Sequence, residues 1–128
     1  MTIPKTDLPI VGAPMAGGPT TVPLALAVAE AGGLPFLAGA NKTPDALAAE
    51  IDTLIESGHP FGVNLFVLRD RPVNEPAFRG YAESLRPEAE KYGIDLESTP
   101  ARNDDEWSAK LRLLIEREVP LVSLTFGL

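Results

Sequence analysis

Four short, largely apolar runs constrain this chain more than any other feature. They are Leu8–Gly12, Leu34–Ala38, Phe61–Leu68 and Leu121–Phe126. Each has strand length, and Phe61–Leu68 is apolar throughout except for Asn64. Continuous rather than alternating hydrophobicity there fits a parallel strand covered on both faces. Between the runs lie longer segments with helical spacing. The resulting order is β-α-β-α-β-α-α-β. Strands that alternate with helices build parallel βαβ units, so the expected class is α/β.

The helix signals are local. Thr20 or Thr21 can cap a helix entering at Pro23, since proline suits the first turn. Leu24 to Ala31 is apolar except for Glu30, which predicts burial all round. Gly32 and Gly33 end it. Thr43-Pro44-Asp45 is a second start: a cap, a proline and an acid. Leu47, Ile51, Leu54 and Ile55 follow on one face, and Gly58 stops the helix. Phe78, Tyr81, Ala82, Leu85, Ala89 and Tyr92 keep helical spacing up to Gly93. Pro87 lies inside that pattern and predicts a kink or two short helices. Asp104 or Asp105 can cap a last helix with Trp107, Leu111, Leu114 and Ile115 inward.

Composition narrows the chemistry. The 128 residues suit one domain by length, and 45% hydrophobic content can bury a core. The formal charge of −7 argues against nucleic acid and against an anionic membrane surface. With no cysteine, disulfides and thiolate chemistry are excluded, and one histidine makes a zinc site unexpected. No apolar run reaches the roughly 18–20 residues of a membrane span. The first nine residues lack a signal peptide's basic start, so the default location is cytoplasmic.

Few residues invite chemistry. Gly12-Ala-Pro-Met-Ala-Gly-Gly18 follows a strand, and its small side chains would let a flat ring approach the backbone. The same segment also reads as an ordinary strand-to-helix turn with Met15 filling a gap. Asn64 is an amide inside a buried run. Left unpaired it would cost about 2–7 kcal/mol, so it needs partners, either neighbouring protein groups or a ligand. His59 precedes a strand, on the end of such a fold associated with stability. Lys42 follows a strand and reads as solvated. Ser123 and Thr125 share one face of their strand, with no histidine or acid to complete a triad. Asp104, Asp105 and Glu106 read as helix-start charges. No dinucleotide or phosphate-loop pattern occurs.

Five separated motifs then carry a resemblance. They are Ile10-Val-Gly-Ala-Pro-Met-Ala-Gly-Gly18, Ala31-Gly-Gly-Leu34, Lys42-Thr-Pro44, Phe61-Gly-Val-Asn-Leu-Phe66 and Ser123-Leu-Thr-Phe-Gly127. In this order they resemble the nitronate monooxygenases, over nearly the whole chain. The resemblance implies a TIM-type (β/α)8 barrel that holds FMN and oxidises alkyl nitronates to carbonyl compounds with O2. It implies that Ala13, Pro14 and Met15 line the flavin ring and that Asn64 hydrogen-bonds it. Thr125, Phe126 and Gly127 would stand on the substrate side. The family's catalytic histidine and phosphate loops match nothing in these residues, so no catalytic residue is assigned and no metal is expected. Pro35 stands where many relatives have glycine, and Leu124 where many have a bulkier aromatic residue.

The strand count limits this reading. A closed barrel needs about 250 residues, and roughly half its elements are present. The expectation is therefore the N-terminal half of a barrel, one partial domain over 1–128 without internal boundary, inactive alone. Two alternatives stand beside it. One is a flavin-dependent enoyl reductase of the same superfamily. The other is a non-catalytic half-barrel that self-associates through its open sheet edge.

Overall fold

The computed structural model describes residues 4–67, 72–97, 99–101 and 103–127. The elements run β1 (Val11–Gly12), α1 (Val22–Glu30), β2 (Leu34–Ala38), α2 (Pro44–Ser57), β3 (Gly62–Phe66), α3 (Glu75–Tyr92), α4 (Trp107–Glu116) and β4 (Leu121–Thr125). The four strands form one parallel sheet in the order β1-β2-β3-β4. The α/β class and the element order agree with the sequence. The chain divides into two compact units. One comprises Met1–Arg69 with Asp104–Leu128, and the other is Asp70–Asn103.

In the first unit, strand faces sort by the period of two. Leu37, Val63 and Leu65 join Leu47, Ile51 and Leu54 of α2 and Leu114 of α4 in the core. Val122 packs against the same cluster. The helices therefore cover the face carrying Leu37, Val63, Leu65 and Val122. The opposite face carries Phe36, Ala38, Gly62, Asn64, Phe66, Ser123 and Thr125.

Local signals explain the helix ends. Thr21 caps α1 by accepting the Leu24 N–H, while Thr20 is used elsewhere. Thr43 caps α2 through the Ala46 N–H, Pro44 opens it, and Gly58 closes it with φ +72°. Asp52 of α2 accepts from Arg117, just after α4, at 2.7 Å. That hydrogen bond, reinforced by charge attraction and opposed by desolvation, holds the Asp52 carboxyl below its ordinary value of 3.8. A depressed carboxyl stabilises the fold above the ordinary value and loses that effect as pH falls through the folded one. Arg117→Ala should therefore lower the melting temperature slightly at neutral pH. The difference should vanish in melts run well below pH 3.8; a constant difference would contradict it.

Four expectations need correction. Leu8–Gly12 is not a buried strand: only Val11 and Gly12 pair with β2, and Leu8, Ile10 and Val11 are exposed. Among the described residues β1 has a neighbour on one side only, so one edge lacks the cover that its composition anticipates. For the same reason α1 buries only Ala25 and Ala29, towards β2 and α2, and leaves Leu24 out. The inward positions proposed for Ile55 and Ile115 are exposed as well. In α4 the buried stripe instead includes Lys110.

The fourth correction lies in the second unit. Pro87 does not divide the helix: α3 is continuous over 18 residues. It is held by the Asn74 cap, a left-handed Gly93 and exposed ion pairs Glu75–Arg79 and Glu83–Arg86. The carbonyl that Pro87 leaves without its helical partner belongs to Glu83, an exposed residue, where water can satisfy it. The Arg86 guanidinium bonded to Glu83 holds that carboxyl below its usual range. The apolar spacing of α3 is mostly uncovered, with Tyr81 and Tyr92 exposed. No helix among the described residues is long and apolar enough to cross a membrane.

Candidate functional site

The carboxyl ends of parallel strands are where α/β folds place ligands, because the following loops converge there. In the first unit those ends carry the turn after β1, the Gly39–Lys42 loop after β2, Asn64 to Val67 on β3, and Thr125 to Gly127 on β4.

Asn64 is 6% exposed and sits on the face turned away from the helices. Its register partners are Ala38 on β2 and Ser123 on β4. The amide nitrogen donates to Ser123 Oγ at 2.8 Å, to Thr125 Oγ1 at 3.0 Å and to the Ser123 carbonyl at 3.2 Å. Its requirement for partners is thus met by β4. Among the described residues the amide oxygen receives one long contact, at 3.4 Å from the Thr125 hydroxyl. One layer towards the strands' N-terminal ends, the Phe36 ring lies across Gly62. A Cβ built on Gly62 would stand 2.3 Å from Phe36 Cε1. The layer around Asn64 therefore has an aromatic floor, a small residue beside it and hydroxyls across from it.

Just after β4, Phe126 has φ +74° and meets Phe66 edge-on, with ring centroids 4.8 Å apart. Phe126 is mostly exposed, and Gly127 is half-buried. The structure thus joins Asn64 with Thr125, and Phe66 with Phe126, across adjacent strand ends.

Ala13, Pro14 and Met15 lie in the turn after β1. Order in the sheet separates them from Asn64 by β2, so they stand two strand spacings away, about 10 Å. The Met15 N–H donates to Thr20 Oγ1 at 2.7 Å and is committed to that turn. What Met15 offers outward is its side chain, 43% exposed. Ala13 and Met15 border an apolar cleft of about 220 Å³ that Gly12, Pro35 and Phe36 also line.

The remaining candidates fall outside this constellation. His59 is exposed in the loop before β3. Lys42 is not simply solvated: half-buried, it pairs with Glu50 at 2.6 Å. Among the described residues no cluster of three acidic or histidine side chains could hold a metal.

One pair escaped the sequence reading. Lys110 is 1% exposed, and its Nζ lies 2.8 Å from Asp105 Oδ1. The same carboxylate oxygen accepts the Asn41 N–H at 2.9 Å, in the loop after β2, where Asn41 has φ +59°. Asp105 is therefore a clamp between α4 and that loop, and does not cap α4. Asp104 accepts the Glu106 N–H instead. The available signal was spacing: Lys110 lies three residues after Trp107 and four before Leu114, on the inner stripe.

These features can be set beside known proteins. The chain is 34% identical to a nitronate monooxygenase of Paraburkholderia phytofirmans, over 95% of this chain and 34% of that protein. It is 33% identical to a probable nitronate monooxygenase of Staphylococcus saprophyticus, over 94% and 34%. A solved nitroalkane oxidase of Streptomyces ansochromogenes superposes with a TM-score of 0.85 at 45% identity, covering 95% of this chain and 35% of that one. The chain thus spans about a third of the length of these relatives, and its four parallel strands and flanking helices correspond to the opening units of a TIM-type barrel. The family model described as nitronate monooxygenase matches residues 3–128. Its order of strands, its Gly-Ala-Pro-Met turn and its buried Asn64 thus sit in a chain that belongs to the nitronate monooxygenase family of oxidoreductases.

Proposed function

We propose that residues 1–128 are one partial barrel that supplies the flavin-ring side of an FMN-dependent, cytoplasmic nitronate monooxygenase-like enzyme, inactive by itself. The observation that carries this reading is Asn64. It is a buried amide in the middle of a central strand, its nitrogen engaged three times and its oxygen given one long contact among the described residues. A ring with polar edges would meet it on the side of Ala38, the small residue in register with it, above the layer that Phe36 closes. Met15 would lie against the ring through its thioether side chain, with Ala13 and Pro14 allowing close approach. Thr125, Phe126 and Gly127 would line the substrate side, where the Phe66 and Phe126 rings meet edge-on. FMN, when bound, would supply the two-electron oxidation of an alkyl nitronate to a carbonyl compound, with O2 as oxidant. No base and no phosphate grip are assigned to this chain.

Titrating the purified chain into FMN and following quenching of flavin fluorescence tests this. Ring contact alone predicts weak, saturable binding. Asn64→Ala should weaken it about 5–10-fold, the worth of one hydrogen bond. Saturable binding that Asn64→Ala leaves intact would remove Asn64 from the site. The same sample on gel filtration addresses the second reading, a half-barrel that self-associates, which the exposed Leu8, Ile10 and Val11 favour. A purely monomeric profile would count against it.

A further inference from the structure

We propose that Lys110 and Asp105 form a latch that sets the loop after β2 in its place at the carboxyl ends of the strands, and that this placement, rather than stability, is the use of the buried pair. The latch lies within the first unit and is independent of the flavin reading.

Three observations meet at one carboxylate. The first is the lysine. Lys110 is buried, and its Nζ lies 2.8 Å from Asp105 Oδ1, yet outside hydrogen-bond geometry with any described residue. The contact is thus one of charge. A buried ammonium without a directed hydrogen bond is costly, and replacing such a pair by apolar residues is often neutral or stabilising. Stability therefore gives no reason for a lysine on the inner stripe of α4. The second observation is the backbone. Asp105 and Glu106 each have φ +51°, and Asn41 has φ +59°. None is glycine, so these conformations persist only where surrounding contacts hold them. At the start of α4, which has no side-chain cap, Asp104 takes the Glu106 N–H. The Asp105 carboxylate instead reaches the Asn41 N–H, 64 residues away in the chain. The third observation is place. Asn41 lies just after β2, and Asp105 just after the point where the chain returns from the second unit at Asp104. One oxygen, held by the lysine, thus ties the β2 loop to that point of return. Loops at ligand-binding ends belong to the least stable parts of a fold, so this bond decides how readily the loop opens.

Hydrogen exchange of single backbone amides, followed by NMR on the 128-residue chain, reads the loop separately from the whole fold. In the wild type the Asn41 amide should exchange at least about tenfold more slowly than an unprotected amide, the effect of one hydrogen bond. Exchange at the unprotected rate overturns the latch. Asp105→Ala with Lys110→Met removes the acceptor without stranding a charge. Asn41 should then exchange about tenfold faster while the amides of β3 change little. Asp105→Asn with Lys110→Met keeps an acceptor oxygen on a residue type that tolerates positive φ, and should restore the protection. That rescue separates positioning of the loop from loss of packing. Lys110→Met alone leaves a carboxylate drawn to water, and Asn41 should exchange several-fold faster. Unchanged Asn41 exchange in Asp105→Ala with Lys110→Met overturns the proposal, as does equal acceleration of Asn41 and β3. Unchanged exchange in Lys110→Met alone overturns the lysine's part in it.

Discussion

Asp105→Ala is expected to destabilise the fold by about 3–5 kcal/mol, the usual cost of removing one partner from a buried ion pair. Lys110 is 1% exposed and its ammonium lies 2.8 Å from the Asp105 carboxylate. Without that carboxylate a cation is left in the protein interior, and the Asn41 N–H loses its acceptor. Urea denaturation followed by circular dichroism measures the loss. A second substitution discriminates the cause. Lys110→Met keeps most of the apolar stem and removes the charge, so Asp105→Ala with Lys110→Met should recover most of the stability. If the single variant lies within about 1 kcal/mol of the wild type, the pair does not contribute as its burial suggests. If the double variant is no better than the single one, the loss comes from the loop after β2 and not from the stranded charge.

Gly62→Ala should cost about 2–3 kcal/mol although it adds one methyl group, because that methyl meets a ring that is itself confined. The added Cβ would stand 2.3, 2.5 and 2.7 Å from three carbons of Phe36. Phe36 is buried, so its ring has little room to retreat. The result expected from a double-mutant cycle with Phe36→Leu is coupling of at least about 1 kcal/mol, since the smaller side chain relieves the contact. Strictly additive losses would mean that the two residues do not share the layer. The same cycle bears on the site, because Phe36 and Gly62 form the floor next to Asn64. Under the flavin site proposed above, a displaced ring should also weaken flavin binding.

Much of the fold was legible in the residues. Thr43-Pro44-Asp45 and Gly58 mark the ends of α2 because caps and left-handed glycines are local requirements, settled within one turn of chain. The three longer strands were legible because short, largely apolar runs of strand length leave few alternatives. Legibility failed where a residue's state depends on distant neighbours. Ile55 and Ile115 fit the helical period yet are exposed. Lys110 breaks the apolar period yet is buried, because Asp105 reaches it from the preceding turn. Pro87 carried a strong local rule, but an exposed helix tolerates the missing bond that a buried one would not.

The sequence by itself determined the order of elements, the parallel α/β class and the positions of Asn64 and the small-residue turn. These follow from periodicity and chain chemistry, which need no knowledge of what lies across the fold. It left open whether Asn64 pairs with protein or with a ligand. Only the tertiary structure decided that β4 takes the amide nitrogen, because the choice rests on a carbonyl 59 residues away in the chain. It likewise decided that Phe36 crosses Gly62, and that Asp105 serves a buried lysine and a strand-end loop. Each depends on strand register or helix packing, which a single segment cannot encode alone.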